Sequence, residues 1–127
     1  MGAGPGATPA GDDVLIGILA GVQLAAGAGL VPPAAQRADR QVRRIVHMAL
    51  DRTTAASAHD LAAALAGSFS EHLLHLAVAL GDPQTVTPAY RAACIWGATS
   101  GIDLLHGLVG AAAESLGHGP ALARATA

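Results

Sequence analysis

Carboxylates at two places in the chain are the residues best suited to chemistry. Asp12 and Asp13 adjoin the start of a long apolar segment, and Asp103 is followed three residues later by His106. A spacing of three places two side chains on one face of a helix. Carboxylate and imidazole groups can exchange protons, orient an amide or hold a divalent cation. Asp12, Asp13 and Asp103 are therefore candidate catalytic residues, and with His106 they form the candidate metal set, although no cofactor is required by the sequence.

Each carboxylate group follows or adjoins a loop rich in small and hydroxyl residues. Segment 2–13 reads GAGPGATPAGDD and segment 97–103 reads GATSGID. Glycine permits close backbone approach, proline fixes φ, and a helix N-terminus offers free N–H groups to an anion. The loops predict ligand contacts from Gly4, Gly6, Thr8, Gly11, Thr99, Ser100 and Gly101. A loose N-terminal tail and simple helix capping are the alternatives.

Composition limits the classes of function. The 127 residues suffice for one domain with a core, and 52% are hydrophobic whereas only 13% are charged. A net charge of −2 and an aromatic content of 2% argue against nucleic-acid binding. The single Cys94 excludes an internal disulfide and fits a cytoplasmic location, and its apolar neighbours predict a core position.

The uncharged segment 14–31 is long enough to span a membrane. Its glycines and the central Gln23 favour a buried helix of small residues instead, so we expect no membrane partner. A small membrane protein with a second span at 92–113 is the alternative, but that span would enclose Asp103 and His106 at a high cost.

The hydrophobic periodicity predicts an all-α domain of about six helices joined by short turns, over residues 1–116, followed by a flexible tail at 117–127. The first helix is predicted to be central, with Asp12 or Asp13 as its cap and small residues such as Gly17 and Gly21 allowing neighbours to approach closely. The other five helices are predicted to begin at Pro32-Pro33, at a capping box over residues 57–60, at a second capping box over residues 68–71, at Thr87-Pro88 and at Ser100.

Three blocks, in this order, resemble a bacterial domain-of-unknown-function family that includes the AllH-type subunit of oxamate carbamoyltransferase. Segment 4–13 is similar to the family's Gly-Pro-Gly-Leu-Thr-Pro-Ser-Gly-Asp-Asp loop, with Ala7 and Ala10 in place of Leu and Ser. Segment 53–57 with 67–69 forms the middle block. Segment 97–103 is similar to the family's second loop, with Ala98 in place of a His. The resemblance covers the C-terminal half of the longer relatives.

The resemblance implies a transferase subunit that acts late in anaerobic allantoin, and hence purine, catabolism. That enzyme interconverts oxalurate plus phosphate with oxamate plus carbamoyl phosphate, so these small anionic or amide compounds are the implied ligands. Other transferase subunits, or a missing N-terminal half, are the implied partners. We expect the loops at 4–13 and 99–103 to meet around a small polar pocket, with Arg44 or Arg91 as candidate charge-neutralising groups. A non-catalytic interaction subunit or a fragment is the alternative.

Overall fold

Helices make up the architecture of residues 1–2, 7–29 and 32–115, which are the residues that the computed structural model describes. They contain six α-helices, one short 3₁₀ helix and no strand. The elements are α1 (Ala10–Gly27), α2 (Pro33–Met48), the 3₁₀ helix (Leu50–Arg52), α3 (Ala55–Leu65), α4 (Glu71–Ala79), α5 (Pro83–Cys94) and α6 (Ser100–Ser115). The predicted all-α domain is therefore confirmed. The predicted tail at 117–127 lies outside the described residues, as do Gly4 and Gly6.

The pairing of α1 with α6 is the central contact of the fold. A Cβ atom added at Gly17 would lie 2.2 Å from the carbonyl oxygen of Leu104, and one added at Gly21 would lie 2.6 Å from that of Leu108. The two backbones therefore approach closely only because glycine has no side chain. The same contacts show that α1 and α6 run parallel, because the contact moves four residues toward the C-terminus of α6, from Leu104 to Leu108, when it moves four residues along α1, from Gly17 to Gly21. Their N-termini consequently lie at the same end of the domain.

The core surrounds this pair. Its largest fully buried aliphatic side chains come from five helices: Leu19, Val46, Leu61, Leu73 and Leu108. Each such side chain contributes roughly 1.5–3 kcal/mol relative to exposure. The predicted central position of α1 is confirmed, because α1 contacts α2, α3, α4 and α6.

Among the described residues, α1 is also the one helix long and apolar enough to cross a membrane. A core helix passes the same test, and 44% of the apolar window of α1 is buried against the rest of the protein. The second predicted span, at 92–113, is not a continuous helix. It is interrupted because α5 ends at Cys94 and α6 begins at Ser100.

The predicted starts of α1 and α5 are wrong. α1 begins at Ala10 after Pro9, so Asp12 and Asp13 occupy the first turn, where the helix dipole favours negative charge. α5 begins at Pro83 and not at Thr87-Pro88. Asp82 accepts a hydrogen bond of 2.8 Å from the N–H of Gln84 and caps it, which leaves Pro88 inside the helix.

The starts of α3 and α4 depend on single hydroxyl caps. Thr54 accepts a hydrogen bond of 3.1 Å from the N–H of Ser57, so the box predicted at 57–60 is wrong by one turn. Ser70 caps α4 by accepting a hydrogen bond of 3.4 Å from the N–H of Leu73. Each cap satisfies one N–H group in the first turn of its helix.

Candidate functional site

The two Gly-rich loops meet at their hydroxyl residues. The Oγ1 atom of Thr8 lies 3.2 Å from the Oγ atom of Ser100, and both hydroxyls lie close enough to the carboxyl group of Asp13 to lower its pKa. The contact follows from the parallel packing of α1 and α6, because each loop leads into the first turn of one of these helices. Two helix N-termini thus adjoin the carboxyl group of Asp13.

Asp13 is buried, with only 4% of its surface exposed. Its Oδ2 atom has no hydrogen-bond partner, and the buried Oδ2 atom of Asp103 has none either. Burial raises the pKa of Asp13, the bonds from Ser100 and Thr8 lower it, and the nearby carboxylates of Asp103 and Asp12 raise it again. The net effect is a raised pKa, so the ionised group is held at a cost.

A cleft of about 360 Å³ opens beside Asp13. The residues that line this Asp13 cleft are Asp13, Ile16, Asp60, Ala63, Ser68, Phe69, Ser70, Trp96 and Leu104. Carboxylates, hydroxyls and two aromatic rings share its surface, and its described lining includes no arginine. Such a surface suits a planar group with N–H donors better than an anion.

The candidate arginines do not line the Asp13 cleft. Arg44 lies exposed on α2 and Arg91 lies exposed on α5. The charge of an anionic ligand in the cleft would therefore have to be neutralised by groups other than these lining residues.

Asp12 has a different environment from its neighbour, although it is fully buried. Its Oδ1 atom accepts a hydrogen bond of 3.0 Å from the N–H of Gly2, and its Oδ2 atom accepts one of 2.8 Å from the hydroxyl of Ser57 and another from that of Thr53. Burial opposes ionisation, but these bonds outweigh it and hold the pKa of Asp12 below its usual range. With both oxygens engaged, Asp12 is a structural anchor and not a free ligand.

The middle sequence block positions the first loop. Thr53 and Ser57 donate to Asp12, and the hydroxyl of Thr54 donates to the carbonyl oxygen of Ala7. Residues 53–57 of the middle block therefore connect the start of α3, through these hydrogen bonds, to the segment before α1 and to the first turn of α1. This role could not be read from the sequence, where the same residues are typical of a helix cap.

The positions of Gly101 and Thr99 are accounted for by backbone hydrogen bonds and, for Gly101, by close helix packing. The N–H of Gly101 donates to the carbonyl oxygen of Trp96 at 3.1 Å, and an added Cβ would lie 1.8 Å from the carbonyl oxygen of Ala93. Gly101 is therefore not a free donor, and its small size lets α5 approach α6. The carbonyl of Thr99 accepts a bond of 3.0 Å from the N–H of Asp103. Gly11 is exposed in the first turn of α1.

The candidate metal set is not assembled. His106 lines a shallow groove with Val14 and Ile18, and no carboxylate of the candidate set lines that groove. No group of three or more His, Cys, Asp or Glu side chains within the part of the chain that the structure describes could hold a metal ion. Asp12 is in addition fully occupied by its three donors.

The sequence analysis did not assign to a site the five other polar or aromatic residues that line the Asp13 cleft: Asp60, Ser68, Phe69, Ser70 and Trp96. Ser68, Phe69 and Ser70 belong to the predicted capping box at 68–71, and Trp96 directly precedes the loop at 97–103. Helix capping was a sufficient explanation for the polar residues, so the sequence did not indicate a binding role. Trp96 also lines a small neighbouring cavity of about 80 Å³ with His72, whose ring centroid lies 5.0 Å from that of the indole.

Comparison with known proteins identifies the family. The family model described as oxamate carbamoyltransferase subunit AllH matches residues 1–112. No curated protein and no solved structure matches the chain. The matched range contains both loops, the middle block and every residue that lines the Asp13 cleft. This chain therefore belongs to the family of the oxamate carbamoyltransferase subunit AllH.

Proposed function

We propose that this chain is a cytoplasmic subunit of a carbamoyltransferase of the oxamate type and that its Asp13 cleft binds the carbamoyl-containing ligand. The reaction moves the carbamoyl group between the nitrogen of oxamate and an oxygen of phosphate, late in allantoin catabolism. Family membership supports the transferase role. The observation that carries the cleft assignment is that Asp13, whose buried Oδ2 atom is unpaired, lines the cleft.

The chemistry of the Asp13 cleft supports a shared active site. Oxamate, oxalurate and carbamoyl phosphate each combine an amide end with an anionic end. The carboxylates and hydroxyls of Asp13, Ser68 and Ser70 are suited to the amide end. The anionic end needs positive charge, which the described lining lacks, so a partner subunit would contribute it.

The single tryptophan of the chain offers a direct test, because Trp96 lines the Asp13 cleft. We expect oxamate, oxalurate or carbamoyl phosphate to change its fluorescence saturably. Asp13→Ala should weaken that binding by about tenfold or more, since a hydrogen bond to a charged group is worth roughly 1.5–3 kcal/mol.

Asp51→Ala is the matched control for this titration. Asp51 lies exposed on the 3₁₀ helix and does not line the Asp13 cleft. Its variant should bind as the unmodified chain does. Equal binding by the unmodified chain and Asp13→Ala, or no binding by either, would contradict the cleft assignment.

A second candidate function is that of a non-catalytic interaction subunit. The observation that favours it is the apolar surface of α2, where Ile45 is 52% exposed and Met48 is 64% exposed. Light scattering of the chain co-expressed with its neighbouring gene products tests this role. A stable complex that Ile45→Ser with Met48→Ser disrupts would support it, and a monomer under all conditions would contradict it.

A further inference from the structure

Positive charge is concentrated on α2. This helix carries four arginines and one aspartate and hence a net charge of +3, so the rest of the chain, whose total is −2, carries −5. The aspartate is already paired, because the Nε atom of Arg43 donates to both carboxylate oxygens of Asp39 at 2.9 and 3.0 Å. Arg43 also donates a hydrogen bond of 3.1 Å to the carbonyl oxygen of Leu65 in α3. This pair therefore ties α2 to α3 and leaves the outer side of α2 without a carboxylate.

The other three arginines of α2 are exposed and unpaired. Arg37, Arg40 and Arg44 recur at spacings of three and four, which places them on one stripe of the helix. Within the part of the chain that the structure describes, none of them forms a salt bridge or a hydrogen bond. A guanidinium group can bind a carboxylate through two parallel N–H donors. The stripe therefore offers paired donors to three carboxylates.

Two apolar side chains adjoin the arginine stripe. Met48 lies one turn beyond Arg44, and Ile45 lies beside Met48 around the helix. More than half of the surface of each is exposed, whereas Val46 is the buried residue of α2. Arginine and methionine are enriched at protein–protein interfaces, where apolar contacts accompany paired charges. The arginine stripe together with Ile45 and Met48 is called the α2 outer face.

We propose that the α2 outer face binds an acidic amphipathic helix of another protein. Carboxylates on that helix would pair with the arginine stripe, and its apolar side chains would cover Ile45 and Met48. A helix matches the stripe because carboxylates three and four residues apart recur with the same rise as the arginines, roughly 4.5–6 Å. This inference rests on the interaction role proposed above, and it adds the binding face and the charge of the partner.

Other occupants match the α2 outer face less well. A second copy of the chain offers no acidic stripe among the described residues, because its exposed carboxylates come one each from five parts of the fold: Asp51, Asp60, Glu71, Asp82 and Glu114. Nucleic acid would place phosphates against Ile45 and Met48. A lipid surface gains little from two apolar side chains, since membrane binding increases with the buried apolar area.

A synthetic helical peptide is the probe. Glu recurs in it at spacings of three and four and Leu occupies the neighbouring stripe, whereas the control peptide has Gln in place of every Glu. We expect the full chain to bind the Glu peptide about tenfold more tightly than the Gln peptide, because three exposed ion pairs each contribute modestly. Fluorescence anisotropy of the labelled peptides measures both affinities. The preference should shrink as the salt concentration rises.

A triple variant locates the binding face. Arg37→Gln, Arg40→Gln and Arg44→Gln together should abolish the preference for the Glu peptide. Arg91→Gln, at an exposed position on α5, is the matched control and should preserve it. The replaced side chains are exposed and glutamine is a good helix former, so circular dichroism should show unchanged helical content in both variants.

Several outcomes would overturn the inference. They are equal binding of the two peptides, an unchanged preference in the folded triple variant, and tighter binding to duplex DNA or phosphatidylglycerol vesicles than to the Glu peptide. Self-association in light scattering that Ile45→Ser with Met48→Ser abolishes would instead assign the face to a second copy. A complex with co-expressed gene products that survives the triple variant would retain the interaction role and refute the α2 outer face. A monomer under all conditions that binds neither peptide would refute both.

Discussion

The hydroxyl of Ser57 donates a 2.8 Å hydrogen bond to the Oδ2 atom of Asp12, and both residues are completely buried. This bond joins the start of α3 to the first turn of α1. The two adjacent acidic residues therefore have different environments: both carboxylate oxygens of Asp12 accept hydrogen bonds within the protein, whereas Asp13 lines the cleft and has an unpaired Oδ2 atom.

Removal of the Asp12 carboxylate should destabilise the fold. Asp12→Ala would leave the donors of Gly2, Thr53 and Ser57 without their acceptor, at a cost of about 3 kcal/mol. Urea unfolding followed by far-ultraviolet circular dichroism measures this change. Asp51→Ala, at an exposed position, should stay within about 0.5 kcal/mol of the unmodified chain. A similar small effect for Asp12→Ala would contradict the anchoring role.

The anchoring by Asp12 should depend on pH. Its pKa is lowered in the folded state, so the stabilisation is present above the unfolded-state pKa of about 3.9 and is lost as the pH falls through the lower folded value. The difference in unfolding free energy between the unmodified chain and Asp12→Asn should therefore shrink below about pH 4. A difference that is constant from neutral to strongly acidic pH would refute this prediction.

Asp13→Asn should stabilise the fold at neutral pH by about 1 kcal/mol, because it removes a buried charge with an unpaired oxygen. The pKa of Asp13 is raised in the folded state, so its favourable contribution is complete below about pH 3.9 and is lost as the pH rises through the folded value. The increase in unfolding free energy caused by Asp13→Asn should therefore be small at acidic pH and should grow as the pH is raised. Urea titrations at acidic and neutral pH measure it, and a loss of stability at neutral pH would be the contrary result.

Glycines between α1 and α6 should tolerate no side chain. An added Cβ at Gly107 would lie 2.1 Å from the carbonyl oxygen of Val14, as one at Gly17 would lie 2.2 Å from that of Leu104. Gly17→Ala and Gly107→Ala should each cost about 3 kcal/mol in unfolding free energy, because backbone must move.

Gly110→Ala is the control in the same helix. A Cβ at Gly110 would meet no atom within 4 Å, so alanine should stabilise α6 by about 0.5–1 kcal/mol. Equal effects of Gly107→Ala and Gly110→Ala in urea unfolding would show that helix propensity, and not close packing, determines the role of these glycines.

The helical class, the central position of α1 and the close packing at its small residues could all be predicted from the amino-acid sequence. Periodic apolar residues predict helices because one face must be buried, and that signal is local. Helix starts were predicted less well. Asp82 and Thr54 cap their helices ahead of the expected residues, since several nearby side chains can satisfy the same N–H groups.

Which candidate residues are available for a ligand depends on the tertiary packing. Asp12 and Asp13 are alike and adjacent in the sequence, but one faces the donors of α3 and the other faces the Asp13 cleft. The N–H of Gly101 is taken by Trp96. The spacing of polar residues was enough to predict a site where the two loops meet. Its accessible residues could not be predicted, because hydrogen bonding and burial depend on residues that are distant in the chain and are brought together by the packing of α1 against α6.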